Sequence, residues 1–189
     1  MKKVVIILSV FFLATAFTTV AVWKNDKAHS QLAFTVTHLG VSDVSGTFND
    51  FDVEVKSSKP DFSDAQFTLT AKVASIDTRI EMRDNHLKSA DFFDAAKYPE
   101  ITFKSISIKK VGKDKYKLAG DLTLKGVTKP IVLDLVYRGI IENPMSKKPT
   151  AGFQISGIIK RSDFALGNGF PAPMISDEVS IKADGEFAQ

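Results

Sequence analysis

The sequence predicts an all-β protein whose strands run antiparallel and close into an eight-stranded barrel, with one short helical insertion between strands three and four. Three observations carry this prediction. Apolar residues recur at every second position in eight separate segments, which is the period of a strand with one buried face. The connections are short and turn-like, among them Gly112-Lys113-Asp114 and Gly126-Val127-Thr128, as in hairpins and unlike the long crossovers of a parallel sheet. The alternation slips phase between Phe48 and Phe51 and again between Phe103 and Ile106, as it does where a sheet bulges in order to curve closed. By pattern alone, a sandwich remains the competing arrangement.

The chain opens with a separate unit. Lys2 and Lys3 precede an apolar run from Val4 to Phe17, and the small residues Thr19 and Ala21 suit a cut after Ala21, with Ala16 as the fallback. Residues 1–21 therefore read as a secretory signal peptide. The run is short for a bilayer span of ~20 apolar residues, so no membrane span is expected after cleavage. Residues 22–189 then form a single exported domain, periplasmic or secreted. Loss of the leader removes two lysines from 25 basic residues and none of the 22 acidic ones. The remaining domain is close to neutral and lacks the field of a general nucleic-acid binder, so no nucleic-acid partner is expected. The absence of cysteine excludes disulfides, thiolate metal sites, thiol nucleophiles and lipid attachment at a cysteine. The domain must be held by its core alone.

Taken in order, the first strand carries Leu32, Phe34, Val36 and His38 in one phase. The second runs around Phe48 to Val55, and the third carries Phe67, Leu69, Ala71 and Val73. A charged stretch follows, in which Thr78 and Glu81 stand at capping-box spacing ahead of Arg83 and His86, the signature of a helix start. Asp84 lies four residues before Lys88, the spacing of an exposed intrahelical ion pair. Pro99 ends the helical character, and strand four takes up the alternation at Ile101 and Phe103 and runs to Ile108. The remaining strands carry Tyr116 to Leu124, Leu133 to Tyr137, Phe153 to Ile159, and Val179 to Phe187. Glu142 to Thr150 and Gly167 to Pro173 read as flexible rims.

Several residues stand out as candidate contacts for a ligand. Phe34, Val36, Phe67, Phe103 and Phe153 fall on the apolar strand faces, where they either pack a core or line a tunnel. From the residues alone, the packed core is favoured. His38 keeps step with Phe34 and Val36 and should point inward, either towards a ligand or to be satisfied by a backbone carbonyl. Arg161, on the strand of Phe153 and Ile159, either points inward, where it needs a carboxylate partner or an anionic head group, or turns to solvent at the strand end. Arg83 and His86 lie on the helical insertion. Phe92 and Phe93 should fix that insertion on the barrel mouth, one pointing inward and the other lying against the outer wall. His29, His38 and His86 lack the spacing of a metal motif, and no nucleophile elbow is present, so neither a metal, a cofactor nor a catalytic residue is expected.

Four motifs carry a resemblance: FTVTHLGVSDVSGTF at 34–48, RDNHL at 83–87, SADFFDAAKYPEITF at 89–103 and GDLTLKGVTKPI at 120–131. Together they resemble the YceI-like family, in the family's order, from Trp23 to Phe187. The resemblance implies a lipocalin-like barrel, a periplasmic or secreted location, and a long-chain isoprenoid or fatty amphiphile bound in an apolar tunnel by a non-catalytic protein. It also implies a role for the RDNHL element, in closing the barrel end or in touching the ligand. One departure is visible: where the family usually reads R-x-x-F-G, this chain has Arg161-Ser162-Asp163-Phe164-Ala165. The alternatives to a carrier are a lipid-processing hydrolase or isomerase with a histidine as general base, and a filled barrel acting as a structural or stress module. A homodimer, formed through an edge or the helical insertion, stays open.

Overall fold

The computed structural model describes residues 19–189; the expected leader falls outside them up to residue 18. Ten strand segments follow in order: β1 (Ala21–His38), β2 (Ser42–Phe48), β3 (Phe51–Ser57), β4 (Gln66–Lys72), β5 (Ile76–Asp77), β6 (Glu100–Gly112), β7 (Lys115–Leu124), β8 (Val127–Glu142), β9 (Pro149–Lys160) and β10 (Ile175–Ala188). The helix α1 (Glu81–Lys88) lies between β5 and β6. β2 and β3 are two halves of one stave bent at Asn49-Asp50, and β4 and β5 are halves of the next, bent at the 3₁₀ turn Val73–Ser75. Counted this way there are eight antiparallel staves, closed by a ladder between β1 and β10. This is the expected barrel, with its helix between the third and fourth staves.

Both predicted phase slips are bends in the wall. One is the break between β2 and β3, which lets Phe48 and Phe51 both face inward. The other is a register shift between Ser105 and Ser107, which throws Ile106 outward. Strand lengths were less legible. β1 begins at Ala21, well before Leu32, because its first residues are mostly polar and only Trp23 there is buried. One turn is displaced from its expected place. Leu124 pairs with Val127, so the tight turn is Lys125-Gly126, with φ of 48° and 74°, while Val127 and Thr128 already belong to β8. Positive φ at both central residues is the type I′ geometry that matches strand twist.

The two ends of the barrel differ in kind. At the end where β1 starts, the loop between β3 and β4 carries Phe62 into the interior, where it meets Trp23 at 5.4 Å, Tyr137 at 5.0 Å and Phe153 at 4.9 Å between ring centroids. Phe67 and Phe187 complete the cluster against Phe153. The Tyr116 hydroxyl donates to the Asp61 carbonyl at 2.7 Å, so its buried polar end is satisfied. Such edge-to-face aromatic contacts plug this end. The other end, where β1 finishes at His38 and α1 lies, is hollow.

The plug loop is held by one carboxylate. Asp64 accepts from the hydroxyls of Ser57 and Ser58 at 2.5 Å each and from the Ser58 amide at 3.0 Å. Burial alone would raise this carboxyl, but the hydrogen bonds outweigh it and hold it down to about 2. Because the folded value lies below the unfolded one of 3.8, its contribution is complete above about pH 4 and is lost as pH falls towards about 2. Asp64→Asn should therefore lower stability by about 1–3 kcal/mol near neutral pH, since an amide presents donors to donors. In urea unfolding followed against pH, the gap between wild type and variant should close in acid. A gap that persists unchanged at about pH 2 would count against the carboxylate as the anchor.

Candidate functional site

The hollow end encloses a cavity of about 490 Å³. All ten candidate residues lie on its wall: Phe34, Val36, His38, Phe67, Arg83, His86, Phe93, Phe103, Phe153 and Arg161. The period-two reading placed the strand residues among them because adjacent strands contribute every second side chain to one interior. Phe48 and Phe51 also line it and were missed, although the phase slip between them was the available signal. Phe170 and Met174 line it as well, and they come from an irregular segment where no periodicity could point to them.

Polar groups gather at the mouth. His38 is an exposed residue at the end of β1, not a buried one, so no backbone carbonyl has to satisfy it. His86 is also exposed; its Nε2 lies 3.0 Å from an Asp91 carboxylate oxygen, and its ring meets Phe92 and Phe170 edge-on. Around these groups stand large apolar side chains open to solvent, including Val41 at 84% and Met82 at 81% exposure.

The helical insertion is built differently from its sequence signature. The expected capping box does not form, since the residue at the N-cap is Ile80 and makes no side-chain cap bond. Instead Asp84 reaches back, accepting from the Thr78 amide at 2.8 Å and the Thr78 hydroxyl at 2.5 Å. Arg83 donates to that hydroxyl from Nε and to the Thr78 carbonyl from Nη2, each at 2.7 Å. Asp84 is buried, at 9% exposure, and the expected exposed pair with Lys88 is absent among the described residues. The clasp wins because Thr78 is itself buried and its backbone groups need partners. These two bonds use Nε and Nη2 of Arg83, whose side chain also lines the cavity.

Phe92 and Phe93 both face the cavity; neither lies against the outer wall. Phe92 stacks on Phe170 at 5.1 Å and 18°, and Phe93 meets Phe48 edge-on at 5.7 Å. The segment after β9 folds back against this part of the insertion, where the Gly167 amide donates to the Asp91 carbonyl at 3.0 Å and Phe170 covers Phe92.

Arg161 matches neither of its two expected settings. It opens a 3₁₀ turn, Arg161–Phe164, and is 7% exposed, with no carboxylate hydrogen-bonded to it among the described residues. Its guanidinium donates to five backbone carbonyls, those of Leu166, Gly167, Phe170, Ile175 and Ser176. Five donors meet five acceptors, so its hydrogen-bonding capacity is committed to the chain. The rim from Gly167 to Pro173, expected to be loose, is thus strapped to the barrel at both ends. Asp177, held below the usual carboxylate range chiefly by the Ser162 amide, takes the Ser162 hydroxyl as well and closes the same corner.

Outside the cavity, Asp26, His29 and Glu186 bring ligand atoms within 4.8 Å of one another on the exposed surface. The Asp26–His29 hydrogen bond lowers the carboxyl and raises the imidazole.

A closed antiparallel barrel, plugged at one end and hollow and apolar at the other, falls in the class of small lipocalin-like barrels, whose interior is filled by side chains or has room for one small ligand. The chain belongs to the YceI-like domain family, whose model matches residues 23–187. It is 38% identical over 169 residues to a UPF0312 protein of Staphylococcus aureus, covering 86% of this chain and 95% of that one. The crystal structure of Burkholderia cenocepacia BcnA superposes with a TM-score of 0.76 at 29% identity, covering 87% of this chain and 99% of the other. A structure described as a polyisoprenoid binding domain from Saccharophagus degradans, implicated in plant cell wall breakdown, superposes with a TM-score of 0.68 at 19% identity, covering 90% and 99%. That last likeness speaks to fold.

The departure from the family pattern has a physical consequence. Ala165, where the family usually has glycine, sits at the end of the Arg161 turn with φ 54° and ψ 33°. The left-handed region disfavours a Cβ by about 1–2 kcal/mol, partly offset by the greater unfolded-state freedom of glycine. Ala165→Gly should raise the thermal midpoint, corresponding to a gain of about 0.5–1 kcal/mol. In contrast, Arg161→Met should lower stability by about 3 kcal/mol or more, because it orphans five carbonyls at once, and should speed amide exchange between Gly167 and Phe170. Unchanged exchange there would show that the strap depends on something else.

Proposed function

We propose that the protein is a non-catalytic carrier that sequesters one long-chain amphiphile, a polyisoprenoid or similar lipid, with its tail in the barrel cavity and its polar end at the mouth. The observation that carries this reading is the shape and chemistry of the cavity. Aromatic rings plug one end, apolar strand faces form the walls, and polar side chains lie near the mouth. Family membership and the polyisoprenoid binding domain of similar fold support it.

Size and energy are consistent. A cavity of about 490 Å³ lies in the size range of small-ligand sites. Each methylene buried there contributes ~0.8 kcal/mol before ordering costs, so a long chain can bind tightly without strong polar contacts. The polar groups then select rather than hold. His38 and the free face of Arg83 are the groups placed to meet a head group, with His86 beside them. Arg161 acts as a positioning residue that fixes the mouth. Cleavage after Ala21 would release the barrel as an exported protein, periplasmic or secreted, with Trp23 as its first core residue.

Native mass spectrometry of the protein purified from its own host without detergent should show a stoichiometric added mass that extracts as a prenyl or acyl amphiphile. A bare mass after exposure to host lipids would overturn the carrier reading in favour of a filled or ligand-free module. Turnover of an offered prenyl phosphate, lost in a His38 or His86 variant, would overturn its non-catalytic part. His38→Leu should leave the thermal midpoint unchanged and shift head-group preference by roughly tenfold or less. Identical selectivity across a matched ligand series would remove His38 from the site.

A further inference from the structure

The wall beside β1 is incomplete. β1 pairs with β3 only from Ala21 to Lys24 and with β2 only from Ala33 to His38. Between those ladders, residues 25–32 have no ladder partner on that side. Along its other edge, β1 advances from Asn25 to Ser30 while β10 moves only from Phe187 to Gly185. The extra residues form an outward bulge, Asp26–His29, opposite the bend between β2 and β3. What spans the gap is slight. The Asn25 side-chain carbonyl accepts from the Val53 amide at 2.7 Å, and the exposed Lys27 reaches Asp50 at 3.6 Å and Asp52 at 3.2 Å.

A small polar hollow lies at this gap, bordered by Lys27, Thr47 and Asn49. It shares Ser30, Gln31, Leu32, Phe48 and Phe51 with the main cavity. The side chains of these five residues line both spaces, so they alone are shared between the hollow and the cavity. Where neighbouring strands are paired, the wall is a hydrogen-bonded ladder, which a chain cannot cross without breaking backbone bonds.

Resting on the carrier reading above, we propose that this gap is a second opening, a lateral port through which the tail of an amphiphile too long for the cavity passes out of the barrel. A chain of many isoprene units outgrows a cavity of about 490 Å³, and its remainder has to leave by the mouth or by the wall. The mouth is occupied by the head group and roofed by Phe92 and Phe170. The port needs only side-chain rotation at Leu32, Phe48 or Phe51. Exposed ion pairs such as those of Lys27 add little resistance and are screened by salt.

The chain has no cysteine, so a single introduced thiol reports on one place. In Gln31→Cys, maleimide labelling should slow at least about fivefold when the barrel is loaded with solanesol, and should match the empty protein when it is loaded with farnesol. Lys129→Cys, on β8, should label at the same rate in all three states. Bound prenol is quantified by extraction in every sample. Solanesol retained with no protection of the thiol in Gln31→Cys overturns the port and leaves the carrier reading standing. Failure to retain either prenol overturns the carrier reading and the port with it. Equal protection by farnesol also overturns the port, because a short chain has no tail to pass through it. A Lys27→Ala variant gives an independent readout: solanesol exchange should quicken at low salt while farnesol exchange does not change, and unchanged solanesol exchange would count against the port.

Discussion

The ladder between β1 and β10 joins the two ends of the described chain, and the rest of the structure depends on it. Pairs from Lys24 with Ala188 to His38 with Ile175 turn a ten-segment meander into a tube. Until they form, the interior is the face of an open sheet and can enclose nothing. Closure also removes the two longest unpaired edges, which would otherwise recruit other chains. These contacts span the greatest sequence separation available, so the entropy of bringing them together is set by the full length of the domain. No disulfide assists. The stabilisation must come from what the tube encloses.

That requirement explains why the two ends differ. A tube whose interior is hollow throughout gives up the dispersion contacts that would offset the cost of its closure. Here the end near Trp23 is filled by rings from β1, β4, β9, β10 and the Phe62 loop, in edge-to-face contact. The hollow end can then remain unfilled, because the closed end supplies the core. Gly126 shows how closely the turns are fitted to this plan. A Cβ there would lie 2.5 Å from the Tyr98 ring, which packs over the hairpin behind α1.

The barrel and its inward residues were legible because a strand's period of two is written directly in the side chains. Phe34, Val36 and Phe103 could be placed on one surface before any contact was known. The same rule fails where the chain leaves the ladder. Thr78, Arg83 and Asp84 read locally as a capping box followed by an exposed helix, since both are patterns within one helix. The clasp they form is decided by burial of Thr78, a property of the whole barrel. Phe62, Phe170 and the carbonyls around Arg161 were illegible for the same reason: irregular backbone has no period, and its partners are fixed by three-dimensional closure. The polar start of β1 was missed because its bulge breaks the alternation that marks a strand.

Arg161 shows how a charged residue on the wall of an apolar cavity can be wholly structural in its bonding. A buried guanidinium without a carboxylate is costly unless its donors are met, and five carbonyls meet them without neutralising its charge. The positive charge therefore persists beside the mouth, although the N–H groups that would grip an anion are occupied. Its influence on a ligand is then electrostatic and at a distance, softened by the carbonyl dipoles that surround it. On the carrier reading, a head group at this mouth would meet few unspent donors, chiefly those of Arg83 and His38. Discrimination among amphiphiles would then rest mainly on how the tail fits, and the wall that shapes the tail would be the place where one family member differs from another.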